Sequence, residues 1–145
     1  GNGGGHYAEY IATRDGVEEL KPGGYLAYMA ERPRSHGLFS ADGLADLEKT
    51  MDEINGHTGP AWTFIYSLKR EDAVRLGYDS AESWRKLLLA HQAELAQAMK
   101  IPPKDFRWRA AFHDEKHHPH IHMMVWSADP KHGKGHRKNA LPAVQ

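Results

Sequence analysis

Between Asp105 and Trp126 two runs of alternating residues flank a short polar stretch, a pattern that selects an antiparallel hairpin. In the first run Phe106, Trp108, Ala110 and Phe112 share one side, and Arg107, Arg109, Ala111 and His113 the other. The second run holds His120-Ile121-His122, and because side chains alternate with period two, both of its imidazoles share a face. With Asp114 to Pro119 as the connecting loop, His113 sits opposite His120 and Ala111 opposite His122. Three imidazoles then gather on one face around a small alanine. Neutral imidazoles with open coordination positions describe a catalytic metal site better than a closed structural one, which takes four ligands and often thiolates. The chain has no cysteine to offer. The bland alternative is that a strand histidine packs in the core and that a His-rich loop binds metal adventitiously. That alternative weighs most on His117 and His118, in the loop, against which stand a phosphate contact or a substitute metal ligand.

A chain of 145 residues is one domain with room for a real core. Lys plus Arg and Asp plus Glu both number 19, so no net field attracts a polyanion. Locally the balance differs. Lys100, Lys104, Arg107 and Arg109 face only Asp105, and Lys131, Lys134, Arg137 and Lys138 lie in a stretch without acids. Any nucleic-acid contact is therefore driven by patches. No apolar run approaches the ~20 residues that span a bilayer, and no secretory signal is visible. Together with the absence of cysteine this fits a cytoplasmic protein.

Along the chain, Gly1 to Gly5 reads as a loop, and Tyr7, Tyr10 and Ile11 at helical spacing make a short helix of His6 to Thr13. Lys21 to Gly24 reads as a turn and Glu31 to Gly37 as a loop. A helix is expected from about Asp42 to Ile54, with Leu44, Leu47, Met51 and Ile54 on one side, stopping at Asn55-Gly56. Ala61 to Leu68 alternates as a strand. Asp79 to Lys100 is the longest expected helix, opened by an Asp79/Glu82 capping box, with an apolar stripe of Trp84, Leu87, Leu88, Leu95 and Met99 and a stop at Ile101-Pro102-Pro103. His91 falls on that stripe and reads as a core histidine rather than a ligand. The architecture expected is α+β: a central antiparallel sheet with flanking helices, the sheet's other face carrying the chemistry. Residues 1–130 form the domain, and residues 131–145 a basic, glycine-containing loose tail.

These elements resemble the relaxases of conjugative and mobilisable plasmids, the MobP-type mobilisation relaxases of the HUH single-strand DNA endonuclease superfamily. Their third motif resembles His113 to His122, with a leading histidine, an acidic-polar loop and then Pro119-His120-Ile121-His122. Tyr10-Ile11-Ala12-Thr13-Arg14 is similar to the first motif, which carries the nucleophilic tyrosine. Trp62 to Asp72 is similar to the middle strand with its serine, here Ser67. The family normally starts with a strand ahead of the tyrosine helix, and nothing before Tyr7 supplies one, so the resemblance implies that the first strand is missing. Relatives place an Asp two positions after the leading histidine. Glu115 stands there, with Asp114 beside it, and either carboxylate is a candidate to orient a ligating ring. Tyr7, three residues from Tyr10, competes for the nucleophile's role.

The resemblance implies metal-dependent nicking and rejoining of one DNA strand at a plasmid or mobile-element transfer origin. Tyr10 would attack, a 5′-phosphotyrosyl intermediate would form, and His113, His120 and His122 would hold Mg or Mn. An imidazole-only set suits Mn, Zn or Ni at least as well as Mg. Arg107 and Arg109, on the triad's face, are candidates to neutralise DNA phosphates, as is Arg14, and Ser67 joins them as a DNA contact; Trp126 and Met124 offer apolar surface for a splayed base, against a core role for Trp126. The partners implied are single-stranded DNA at a transfer origin, relaxosome accessory proteins and a coupling protein, with no membrane segment. The rivals are a rolling-circle replication initiator or transposase of the same superfamily, a three-histidine zinc hydrolase or lyase, and a non-catalytic single-strand-binding or metal-binding module.

Overall fold

A computed structural model of the chain describes residues 21–133 and 140–141. The expected helix of His6 to Thr13, and with it Tyr7, Tyr10 and Arg14, lies outside the described residues, as does any strand preceding it. Within them the order is α1 (Pro22–Glu31), β1 (Ser35–Ser40), β2 (Gly43–Leu44), α2 (Leu47–Asn55), β3 (Ala61–Ser67), α3 (Arg70–Leu76), α4 (Ala81–Ala98), a 3-10 turn (Pro103–Asp105), β4 (Phe106–His113), β5 (His120–Ser127) and β6 (Ala140–Leu141). The strands form one sheet in the order β2-β1-β4-β5-β3-β6, with every neighbouring pair antiparallel. The fold is α+β.

Helices cover both faces of this sheet, where the sequence reading left the chemical face open. On one side Trp84, Leu88 and Met99 of α4 and its exit, followed by Ile101, pack on Trp62, Trp108, Ala110, Phe112, Ile121, Met123 and Val125. On the other, Tyr25, Leu26 and Met29 of α1 and Ile54 of α2 pack on Leu38, Ala61, Ala111, Met124 and Trp126. Val125 and Trp126, neighbours in sequence, belong to different cores because the strand alternates. In the segment expected as a tail, Ala140 and Leu141 pair with Trp62 and Ala61 of β3.

Five local expectations need correction. Pro22-Gly23-Gly24 opens α1 instead of forming a turn. Pro22 stands at the first helical positions, where its missing N–H costs nothing. Gly23 is buried against α2, so that an added Cβ would lie 3.5 Å from Met51; packing outweighs the helix-breaking tendency of two glycines. Pro33 then ends α1, holding Arg32 in the extended region. The loop expected through Gly37 becomes β1, because Ser35 to Phe39 pair with His113 to Ala110 of β4 across a register shift, with Gly37 at φ +93 inside it.

The helix expected from Asp42 starts later. Gly43 and Leu44 pair back on β1, leaving Leu44 87% exposed instead of on the helix stripe, and Asp46 caps α2 by accepting from the Glu48 and Lys49 amides. Helix α4 is capped by Ser80, which accepts from the Ser83 amide, and not by the Asp79/Glu82 box; Glu82 pairs with Arg85 at 2.8 Å. His91 is exposed beside Glu94 and does not belong to the core. No helix among the described residues is long and apolar enough to cross a membrane.

Candidate metal centre

The hairpin register follows the alternation. His113 pairs with His120 and Ala111 with His122. Ring centroids lie 4.3 Å apart for His113 and His122, 4.8 Å for His120 and His122, and 5.6 Å for His113 and His120. One ligand nitrogen from each ring lies within 4.8 Å of the other two. His113 and His122 are each 1% exposed, whereas His120 is only partly buried. The triad therefore sits at the sheet's edge of solvent, with two rings inside and one at the mouth.

Each ring uses one nitrogen on a protein partner. His113 Nε2–H donates to the Met29 carbonyl at 2.8 Å, leaving Nδ1 with the lone pair. His120 Nδ1–H donates to the His118 carbonyl at 2.8 Å, leaving Nε2. His122 Nδ1 lies 3.2 Å from the Tyr25 hydroxyl, and His122 Nε2 is buried without a hydrogen-bond partner, one of two such side-chain atoms among the described residues, with Ser127 Oγ. A buried polar nitrogen lacking a partner carries a desolvation cost that a bound cation would remove. Fixing the second ring nitrogen is how proteins set the tautomer and direction of ligating histidines. The residues present thus fit a divalent ion.

The electrostatics agree. Burial is the largest influence on all three rings and disfavours their charged form, bringing His113 down to about 4, lowering His120, and holding His122 well below the ordinary histidine value, where the neighbouring His113 and His120 add to the effect. At neutral pH the lone pairs are available to a cation.

Two tyrosines that sequence reasoning passed over stand beside the triad. Tyr25 is fully buried, and burial, with Tyr28 adding, pushes its phenol well above the ordinary tyrosine value. Tyr28, half-buried, meets His122 edge-on at 5.6 Å between centroids and lies 6.4 Å from His113, with the Arg32 guanidinium 4.9 Å over its ring. Tyr25, Tyr28 and Arg32 recur at helical spacing, the same signal that marked Tyr7 and Tyr10, but the Pro-Gly-Gly start hid it.

The remaining candidates divide. Ser67 pairs with His120 across β3 and β5, on the triad's face and exposed. The partners of the ring nitrogens are the Met29 and His118 carbonyls and the Tyr25 hydroxyl, and not Asp114 or Glu115. Asp114 instead pairs with Arg70 at 2.5 Å and approaches His36 at 3.6 Å. The side chains of His117 and His118 are exposed, and their carbonyls hold the loop. Arg107 and Arg109 share the triad's face but lie roughly 13–20 Å down the strand from His113, and roughly 7–13 Å from the register of His122. There Glu53 meets Arg109 at 3.1 Å and Arg107 at 3.8 Å. Met124 and Trp126 are core, with the Arg109 guanidinium 5.5 Å from the Trp126 ring.

This geometry coincides with a family match: the model describing MobL relaxases covers residues 4–141. The chain belongs to the MobL relaxases. No curated protein and no solved structure matches it. Membership makes this a DNA-nicking mobilisation enzyme, and decides for a relaxase over the zinc hydrolase and the non-catalytic module.

Proposed function

We propose that this relaxase cleaves and rejoins one strand of single-stranded DNA at a transfer origin, through a 5′-phosphotyrosyl intermediate, with a divalent metal held by His113, His120 and His122. The observation that carries the reading is the set of three neutral imidazoles on one hairpin face, each with one nitrogen hydrogen-bonded and its other nitrogen left to ligate. His113, His120 and His122 would hold Mg or Mn, or Zn or Ni in its place, which would supply positive charge to offset the charge developing on the phosphate.

The chain's own residues do the rest. A tyrosine oxygen bonds to phosphorus as the bond to the 3′-oxygen breaks, and the proton that the phenol gives up balances the one the 3′-oxygen takes. The energy of the phosphodiester is retained, so reversal reseals the strand. Tyr10 is the attacking group by family pattern, and Tyr28 by position. Tyr28 is the favoured reading, since it is half-exposed beside the triad while Tyr25 is buried with its hydroxyl on His122. Arg14, Ser67, Arg107 and Arg109 are the proposed DNA contacts, Ser67 nearest the metal centre. Accessory proteins of a relaxosome and a coupling protein are the proposed partners, in the cytoplasm.

The test is incubation with Mn and single-stranded transfer-origin oligonucleotides, read as a denaturant-resistant protein–DNA species. Tyr28→Phe is expected to abolish it and Tyr10→Phe to spare it; the reverse would return the role to Tyr10. Cleavage without an adduct in the unaltered protein would overturn the phosphotyrosyl route.

A further inference from the structure

The triad's three anchors are unequal. His113 and His122 are held by α1, through the Met29 carbonyl and the Tyr25 hydroxyl, and both are buried. His120 is held by the carbonyl of His118, two residues away in its own loop. A loop written Asp114-Glu115-Lys116-His117-His118-Pro119 has little apolar content to fix it. Something outside the loop must set the direction of the His118 carbonyl.

That something is the start of α3. The Arg70 guanidinium donates to the Asp114 carboxylate at 2.5 Å, the Glu115 carbonyl at 2.6 Å and the Lys116 carbonyl at 3.0 Å. The Arg70 amide, left without an intrahelical acceptor by its place at the helix N-terminus, donates to the His117 carbonyl at 2.9 Å, and the Leu68 amide to the Pro119 carbonyl at 3.3 Å. Five of the loop's residues are thus tied to the junction of β3 and α3, three of them by one side chain. An arginine's forked, rigid set of donors suits several acceptors fixed in different directions. His118 is the loop residue left over, and its carbonyl turns to His120.

We infer that Arg70 is a positioning residue for His120: by fixing the loop's carbonyls it aims the His118 carbonyl at Nδ1, sets the Nδ1–H tautomer, and presents Nε2 to the metal. The inference rests on the metal-centre reading for its purpose, and on the loop hydrogen bonds alone for its geometry. A neutral imidazole free in water favours Nε2–H, so His120 needs a fixed acceptor to hold the other tautomer.

The experiment is long-range 1H–15N NMR of the metal-free full chain at mildly alkaline pH, paired with Mn titration. In the unaltered protein His120 is expected as the Nδ1–H tautomer. In Arg70→Ala it should shift toward Nε2–H while His113 remains Nε2–H, and Mn affinity should fall roughly 10–100-fold, the usual cost of losing support behind a ligand. Arg70→Lys, which keeps the charge with a poorer set of donors, should fall between. In a His120→Ala background, substituting Arg70 should cost no further Mn affinity. An unchanged tautomer in Arg70→Ala, or an affinity loss of the same size without His120, would overturn the inference. Unaltered protein that takes up no Mn but whose tautomer follows Arg70 would sink the metal-centre reading and support the Arg70–His120 coupling.

Discussion

The two ends of the β4–β5 hairpin carry polar side chains on the same face, and they treat them oppositely. At one end His113, His120 and His122 are desolvated and neutral, and His122 Nε2 has no partner among the described residues. At the other, Arg109 donates to Thr50 and Glu53 and lies over Trp126, while Arg107 donates to the Lys104 carbonyl and stands near Glu53. The same alternation delivers both sets. What separates them is the covering helix: α2 brings Glu53 to the arginines, whereas α1 brings no carboxylate to the triad, only a carbonyl, two phenols and the cation of Arg32. Coordinating capacity left unused inside a fold marks where an external ion belongs.

Substitutions at the two ends should separate cleanly. The largest effect is expected at the triad: His122→Ala should lower Mn affinity by more than ~100-fold, beyond what losing an outer partner costs, and reduce nicking to background. Arg109→Ala should leave Mn affinity unchanged in the same calorimetric titration. Equal losses at both ends would dissolve the distinction.

Acid should distinguish them next. A histidine whose folded value lies below its unfolded one favours the folded state's neutral ring, so stability is intact above about 6.5 and is lost as pH falls toward the folded value. For His113, brought down to about 4, the loss in the metal-free protein is roughly 3 kcal/mol between those limits. Chemical denaturation across that range should show it, and His113→Gln should reduce the dependence to the share of His120 and His122; arginines do not titrate there, so Arg109→Ala should keep it.

At the arginine end the effects are smaller. Arg109→Ala removes a largely buried guanidinium and its hydrogen bonds to Thr50 and Glu53, which keep only the Asp46 carbonyl and Arg107, costing about 1–3 kcal/mol in denaturant unfolding. Arg107, more exposed, is expected to act on DNA: Arg107→Ala should reduce the salt slope of single-strand binding by about 0.7, the share of one phosphate. An unchanged slope would assign Arg107 to Glu53 alone.

How legible all this was in the sequence varies with where the information lies. The hairpin, its register and the triad could be read because a period-two alternation around a short loop fixes which side chains meet. The long helix and β3 were legible for the same reason, as strong local patterns. What escaped depends on contacts distant in sequence. Pro22-Gly23-Gly24 becomes helical because α1 packs on α2, β1 forms because β4 offers it a partner, and Asp114 turns from the ligands because Arg70, distant in sequence, reaches it. Tyr28 was missed with α1, since a residue read next to a turn is not credited with a face. His91 was misplaced because the apolar stripe of α4 is narrower than its periodicity suggests.

Most direct is Mn anomalous scattering from crystals soaked in the metal. A single peak within coordination distance of His113 Nδ1, His120 Nε2 and His122 Nε2 is the expected result. A peak on the Asp105, Asp129 and His132 cluster instead, or none at the triad, would contradict the assignment of this hairpin face as the metal centre.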